Sequence, residues 1–209
     1  MENLFKDKKI CILNYGSGNI SSVFNMLKTI VNDVIVSNSK QDIQSSSHLI
    51  LPGVGAFGAS MAKIRKTVPI NILEQEVLQN KKPFLGICVG MQVLANKGYE
   101  FGDYQGLGWI AGAVEKIDAH TLPLPHIGWN SIEILRPVPL LEHFSDEQDF
   151  YFVHSFAFKE EEPADVVAKT EYGEKFTSVI AKDNIFGVQF HPEKSQKAGR
   201  LLLENFVKF

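Results

Sequence analysis

Cys88 sits in Leu85-Gly86-Ile87-Cys88-Val89-Gly90-Met91-Gln92, with a glycine two residues away on either side. Before it, Pro83-Phe84-Leu85-Gly86-Ile87 is short, apolar and bounded by proline, the pattern of a buried strand. After it, residues 90–97 read as the start of a helix. Small residues at both flanks remove the side chains that would crowd a sharp strand-to-helix turn. The arrangement is the cysteine counterpart of the Gly-x-Ser-x-Gly elbow, which lifts a nucleophile above a parallel sheet. Backbone N–H groups at a helix start favour the thiolate, the reactive form. Burial as a small apolar residue is the commoner fate of cysteine, so the chemistry depends on what faces Cys88.

A thiol nucleophile needs a base and a group to orient that base. Of the six histidines, His191 has the best setting, in Gly187-Val188-Gln189-Phe190-His191-Pro192-Glu193. It closes a strand-like run, proline fixes the backbone after it, and Glu193 can hold one ring nitrogen while the other faces a thiol. His154, in Phe152-Val153-His154-Ser155, is a second candidate base at another strand end. His48, His120, His126 and His143 lack such context. No second ligand cluster lies at zinc-site spacing, so no metal is expected, and no cofactor motif is complete: Gly16-Ser17-Gly18-Asn19 is neither a P-loop nor a full dinucleotide fingerprint. Acyl chemistry also calls for oxyanion donors. Val54, in Pro52-Gly53-Val54-Gly55, and Val89, just after the elbow, are the candidates.

These groups need a scaffold that gathers distant segments. Residues 8–15, 34–36, 49–51 and 83–87 read as strands. Between them, residues 20–31, 57–66 and 69–81 carry helical periodicity. Such alternation implies a largely parallel sheet covered on both faces. In such sheets ligands collect at the carboxyl ends of strands, where Gly16, Pro52 to Gly55 and Cys88 fall. The second half changes to short strand-like runs at 114–117, 131–135, 150–153, 166–170, 178–181 and 187–190, an antiparallel extension. A closing helix over 195–209, with Ser195 as its N-cap, docks through Leu202, Leu203, Phe206 and Val207. Without a linker or repeat, residues 1–209 are expected to form one domain.

Composition narrows the class. The 209 residues are 44% hydrophobic and 22% charged, with a formal net charge of −3, which gives no reason to expect a nucleic-acid partner. No apolar run is long enough for a membrane span, and the first residues have no secretory core. Two cysteines, Cys11 and Cys88, are no disulfide framework, and Cys11 falls in a strand as packing. A cytoplasmic location is the expectation.

Taken in order, Tyr15-Gly16-Ser17-Gly18-Asn19, Pro52 to Phe57, Leu85 to Gln92, Pro125-His126-Ile127-Gly128-Trp129-Asn130, Tyr151 to Ser155 and Val188 to Gln196 resemble the class I (triad) glutamine amidotransferases. More narrowly, the chain is similar to the glutaminase subunits of imidazole glycerol phosphate synthase. The resemblance implies a flavodoxin-like α/β fold: a mainly parallel central sheet with helices on both faces and an antiparallel extension. It implies a Cys88–His191–Glu193 triad and a glutamine pocket at Gly55, Gln92, Glu100, Ser155 and Phe156. It further implies that a cyclase subunit docks at Trp129, Asn130, Tyr151 and Lys194 as the other half of a heterodimer and takes up the ammonia. Two strings depart from the histidine-pathway pattern: Ala95-Asn96-Lys97-Gly98-Tyr99-Glu100-Phe101 and Gly106-Leu107-Gly108-Trp109-Ile110. They are similar to paralogues that feed ammonia to an N-acetyl sugar amidotransferase of surface-polysaccharide synthesis. A non-catalytic regulatory module is the alternative of another class, and keeping all three triad residues argues against it.

Overall fold

The structure, a computed structural model, describes residues 5, 7–145 and 148–209. Its first half alternates strand and helix: β1 (Lys9–Ile12), α1 (Ile20–Lys28), β2 (Asp33–Val36), α2 (Lys40–Ser45), β3 (His48–Gly53), α3 (Phe57–Thr67), α4 (Ile70–Glu74) and β4 (Phe84–Cys88). After the one-turn α5 (Val89–Gln92) come β5 (Lys97–Gly98), β6 (Tyr104–Gln105), β7 (Gly112–Lys116), β8 (His126–Ile134), β9 (Gln148–His154), β10 (Phe156–Glu160), β11 (Val166–Tyr172), β12 (Glu174–Lys182), β13 (Ile185–Val188) and α6 (Gln196–Lys208).

The sheet runs β2-β1-β3-β4-β13-β12-β10-β7-β5-β6. The block β2-β1-β3-β4-β13 is parallel. From β13 outward the pairings β13–β12, β12–β10 and β10–β7 are antiparallel, and β11, β8 and β9 branch from β12 by antiparallel pairing. Parallel crossovers are almost always right-handed. The step from β1 to β2 runs opposite to the steps from β2 to β3 and β3 to β4, so α1 covers one face while α2, α3 and α4 cover the other. The closing α6 packs against α1. The switch in direction lies between β1 and β3, and ligands are received at such points.

The buried strands are those the apolar runs predict. Every residue of β3, β4 and β13 is buried. Leu202, Leu203, Phe206 and Val207 of α6 are all inaccessible, so that helix docks as expected. Among the described residues four elements fall outside the expectations: α2, β10 and the short strands β5 and β6. The polar α2 buries only Ile43, so it has almost no hydrophobic periodicity. It is held by its cap, where the Asp42 N–H donates to Ser39 Oγ at 3.1 Å, a local signal with little apolar support. Strand β10 pairs along β7 from Phe156↔Lys116 to Glu160↔Gly112. The helix expected over 69–81 is shorter: α4 opens into a wider turn, with the Asn80 N–H bonded to Gln75 O at 3.0 Å.

Candidate active site

Strand β4 ends at Cys88, in register with Gly53 of β3 on one side, while Ile87 faces Val188 of β13 on the other. The Cys88 backbone has φ 55° and ψ −114°, a conformation that costs a non-glycine residue on the order of 1–3 kcal/mol. The two glycines are sterically required. A Cβ on Gly86 would lie 2.4 Å from the Gly90 carbonyl oxygen, and one on Gly90 would lie 1.8 Å from Leu51 O. The strand, the turn and the adjacent strand occupy the space that side chains would need. The helical run predicted after Cys88 ends at Gln92, after one turn, and Lys97–Gly98 is a strand. A single turn contributes little macrodipole, so a thiolate at Cys88 needs another source of positive charge.

His191 is that source. It follows β13, and its amide donates to Tyr151 O at 2.9 Å. Its Nδ1 lies 2.8 Å from Glu193 Oε1, with both side chains almost wholly buried. Burial opposes the imidazolium, but hydrogen bonds and charge from Cys88 and Glu193 outweigh it and push the His191 pKa up to about 10. Asn19, at the end of the β1–α1 loop, donates its Nδ2 to Glu193 Oε1 at 3.2 Å. Ser195 does not cap α6 through its side chain, as the sequence predicts. Its hydroxyl instead donates to His191 O at 2.7 Å and accepts the Tyr151 N–H at 3.0 Å, which anchors the backbone carrying the imidazole.

Cys88, His191, Val54, Gly55, Val89, Gln92, Glu100, Ser155 and Phe156 line one cavity of about 170 Å³. Glu193 sits behind His191. A larger open hollow of about 920 Å³, over residues 134–145, includes none of them. Glu100 uses Oε2 to accept the Phe57 N–H at 2.8 Å, at the start of α3, and this fixes its carboxylate at the cavity wall. The Val54 carbonyl accepts a hydrogen bond from Ser17 Oγ at 2.8 Å, and Gly55 takes φ 97°, so this turn is shaped by backbone freedom that only glycine has cheaply.

The second candidate base also reaches the cavity, in a different state. His154 is bonded through Nδ1 to Phe156 O at 3.0 Å and through Nε2 to His126 at 3.2 Å. Burial pushes its pKa down to about 3. With no carboxylate to orient it among the described residues, His154 is a neutral structural imidazole, and His191 is the base the geometry favours. Cys11 is the packing residue expected: burial raises its thiol to about 11, and its Sγ bonds Ser37 O.

Of the expected docking residues, three come together. Trp129 faces Tyr151 across β8 and β9, their rings 5.9 Å apart, and Lys194 Nζ lies 5.4 Å above the Tyr151 ring. Lys194 also lines the cavity, so this surface adjoins Cys88 and His191. Asn130 does not join them. It follows Trp129 on the strand, so its side chain turns to the opposite face, where Nδ2 donates to Glu171 O at 2.9 Å. Sequence reasoning missed the contacts of Asn19, Gln189 and Ser195. All three lie inside the quoted motifs, but their partners are distant or set by backbone geometry.

Residues 11–209 match the family model for glutamine amidotransferase class-I. The chain belongs to the class I glutamine amidotransferases. It is 44% identical to imidazole glycerol phosphate synthase subunit HisH 1 of Campylobacter jejuni, over 95% of this chain and 99% of that one. It is 42% identical to subunit HisH 2 of Pseudomonas aeruginosa (95% and 98%) and 41% identical to subunit HisH of Methanocaldococcus jannaschii (95% and 98%). Among solved structures, PurLQS of Thermotoga maritima aligns with TM-score 0.75 at 16% identity, over 96% of this chain and 98% of that one. A glutamine amidotransferase of the same organism aligns with TM-score 0.66 at 16% identity (97% and 99%). At that identity the structural likeness speaks for the fold.

Proposed function

We propose that this amidotransferase is the glutaminase subunit of imidazole glycerol phosphate synthase, with Cys88, His191 and Glu193 as its triad. The observation that carries the chemistry is the buried His191–Glu193 pair sharing a cavity with a cysteine held at an elbow. The 40–44% identity to HisH subunits over nearly the whole chain supports the pathway. The Cys88 thiolate attacks the side-chain carboxamide carbon of glutamine, forming a C–S bond. The carbonyl oxygen takes the negative charge, and the main-chain N–H groups of Val54 and Val89, two residues that line the cavity, serve as its donors. As the C–N bond breaks, His191 gives its proton to the departing nitrogen, which leaves as ammonia. His191 then takes a proton from water, whose oxygen attacks the thioester. The C–S bond breaks, glutamate leaves and its new carboxyl group loses a proton to solvent, which restores the Cys88 thiolate beside protonated His191. Glu193 keeps Nδ1–H directed at itself and stabilises the imidazolium throughout.

In the pocket, the free oxygen of Glu100 suits the α-ammonium group of glutamine, while Gly55, Gln92, Ser155 and Phe156 complete the wall. The cyclase subunit docks over Trp129, Tyr151 and Lys194, next to the cavity, and receives the ammonia to form imidazole glycerol phosphate and AICAR. The whole chain acts as one amidotransferase domain. A second reading keeps the chemistry and sends ammonia to a sugar amidotransferase. The departures at residues 95–101 and 106–110 favour it, and several of the most similar relatives carry copy numbers, HisH 1 or HisH 2. The test is glutamine hydrolysis with each candidate acceptor. Stimulation by the cyclase, abolished in Cys88→Ala, supports the first reading. Stimulation by the sugar amidotransferase alone refutes it, and turnover retained in Cys88→Ala refutes the nucleophile.

A further inference from the structure

We infer that Gln189 is a further catalytic residue: its amide N–H holds the Cys88 sulfur, and its orientation is set by Gln92, which is itself fixed by the Phe156 carbonyl. The inference rests on the proposal that Cys88 is the nucleophile.

Gln189 directly follows β13 and is wholly buried. Its Nε2 lies 3.7 Å from Cys88 Sγ, and its Oε1 accepts from Gln92 Nε2 at 3.1 Å. A glutamine amide can be turned end for end with little change in shape, so its direction is decided by its partners. Gln92 Nε2 also donates to Phe156 O at 2.8 Å. Turning the Gln92 amide would set two oxygens against each other at that carbonyl, so its N–H groups face Phe156 and Gln189. Gln189 must therefore present its oxygen to Gln92 and its N–H to the sulfur.

The same logic runs outward. Phe156 O also receives His154 Nδ1 at 3.0 Å, which leaves His154 Nε2 as acceptor for His126 Nδ1–H at 3.2 Å. His126 Nε2 then accepts from Asn130 Nδ2 at 3.4 Å. Each link has one donor and one acceptor, provided that both imidazoles are neutral. Burial ensures this by lowering His126 to about 4 and His154 to about 3. Gln92 is the positioning residue in this scheme; His154, His126 and Asn130 hold the Phe156 carbonyl from its other side. At the inner end, an N–H aimed at a buried sulfur stabilises the thiolate more than the thiol, because hydrogen bonds to charged acceptors are the stronger ones.

The test reads the thiolate directly, through the rate of Cys88 alkylation by iodoacetamide across pH in the full chain, alongside glutamine turnover with the acceptor subunit present. His191 and Tyr15 interact electrostatically with Cys88, and Glu100, His154 and Lys194 share its cavity. Gln189→Leu and Gln189→Met both remove the donor without adding charge. Both are expected to move the alkylation midpoint upward by about one pH unit or more. Both should lower kcat by about 10-fold or more, with KM nearly unchanged. A buried polar group that served only packing would lower stability and leave the midpoint in place. An unchanged midpoint and kcat in either folded variant overturns the inference. Should Gln189→Leu fail to fold, Gln189→Met decides it alone. Absence of alkylation at Cys88 in the unaltered chain overturns the nucleophile proposal itself, an outcome distinct from an unshifted midpoint.

Discussion

At the residue scale, His191 decides how the site behaves. Its pKa of about 10 means that the ring, flanked by Cys88 and Glu193, holds its proton at neutral pH. Replacing Glu193 by Gln removes the carboxylate charge while keeping a similar shape. The expected outcome is a lower His191 pKa, measured by NMR titration of the imidazole, and a fall in kcat/KM of about 10²-fold. The raised pKa also has a consequence for stability. Below about pH 6.5, the unfolded value, His191 is protonated in both states and its contribution is complete. As pH rises toward 10 the unfolded chain has released a proton that the folded one keeps, so that contribution is lost. Denaturant titrations of the unaltered chain and His191→Asn should therefore differ most below pH 6.5 and converge by pH 10.

At the element scale, the elbow and the β8–β9 ribbon make separate demands. The elbow tolerates no added atom at Gly90, where a Cβ would lie 1.8 Å from the Leu51 carbonyl oxygen. Backbone cannot swing aside as a side-chain tip can. Gly90→Ala is expected at or beyond the upper end of the ~1–3 kcal/mol typical of overpacking. Each kcal/mol lost lowers Tm by about 2–4 °C in a chain of this size, which calorimetry or thermal circular dichroism would read. The ribbon instead presents Trp129, 47% exposed, beside Tyr151 and Lys194. An accessible tryptophan stacked edge-on against a tyrosine is a natural anchor for a partner. Trp129→Ala should weaken acceptor-subunit binding by at least about 2 kcal/mol, measured by calorimetric titration, and leave the fold intact. Affinity unchanged by that substitution would move the docking surface elsewhere.

At the scale of the whole molecule, three histidines are buried neutral: His126 and His154 bonded to each other, and His48 apart from them. Burial lowers His48 to about 4, with the Lys8 charge acting in the same direction, and lowers His126 to about 4 and His154 to about 3. When unfolded, each takes up a proton near pH 6.5. Between pH 6.5 and about 4 the unfolded state therefore binds more protons, so stability is full above pH 6.5 and falls as the solution is acidified. Tm should decline steadily below pH 6.5. His48→Asn should flatten part of that decline, because His48 packs against Phe206 at 5.2 Å, apart from the cavity. A flat Tm from pH 6.5 to 4.5 would show that these imidazoles are not held neutral.

Apolar runs and glycine spacing were enough to predict the parallel strands and the elbow, because each is a local demand: a strand buried on both faces is apolar throughout, and a tight turn excludes Cβ atoms. His191-Pro192-Glu193 was legible for the same reason, since acid and base sit two residues apart on one rigid turn. What the chain could not disclose linearly is which distant groups meet. Helix α2 was hidden by its polarity and the length of α5 by the packing that follows it. The Asn19 bond to Glu193 and the Gln189 bond to Cys88 join residues remote in sequence. Asn130 and Ser195 were legible as residues, but strand alternation turned one away from the docking face and backbone geometry gave the other a different partner. Sequence alone determined the kinds of groups present and the local turns that carry them. Only the tertiary structure decided their distances, their desolvation and hence their charge, because those depend on strands brought side by side from opposite ends of the chain.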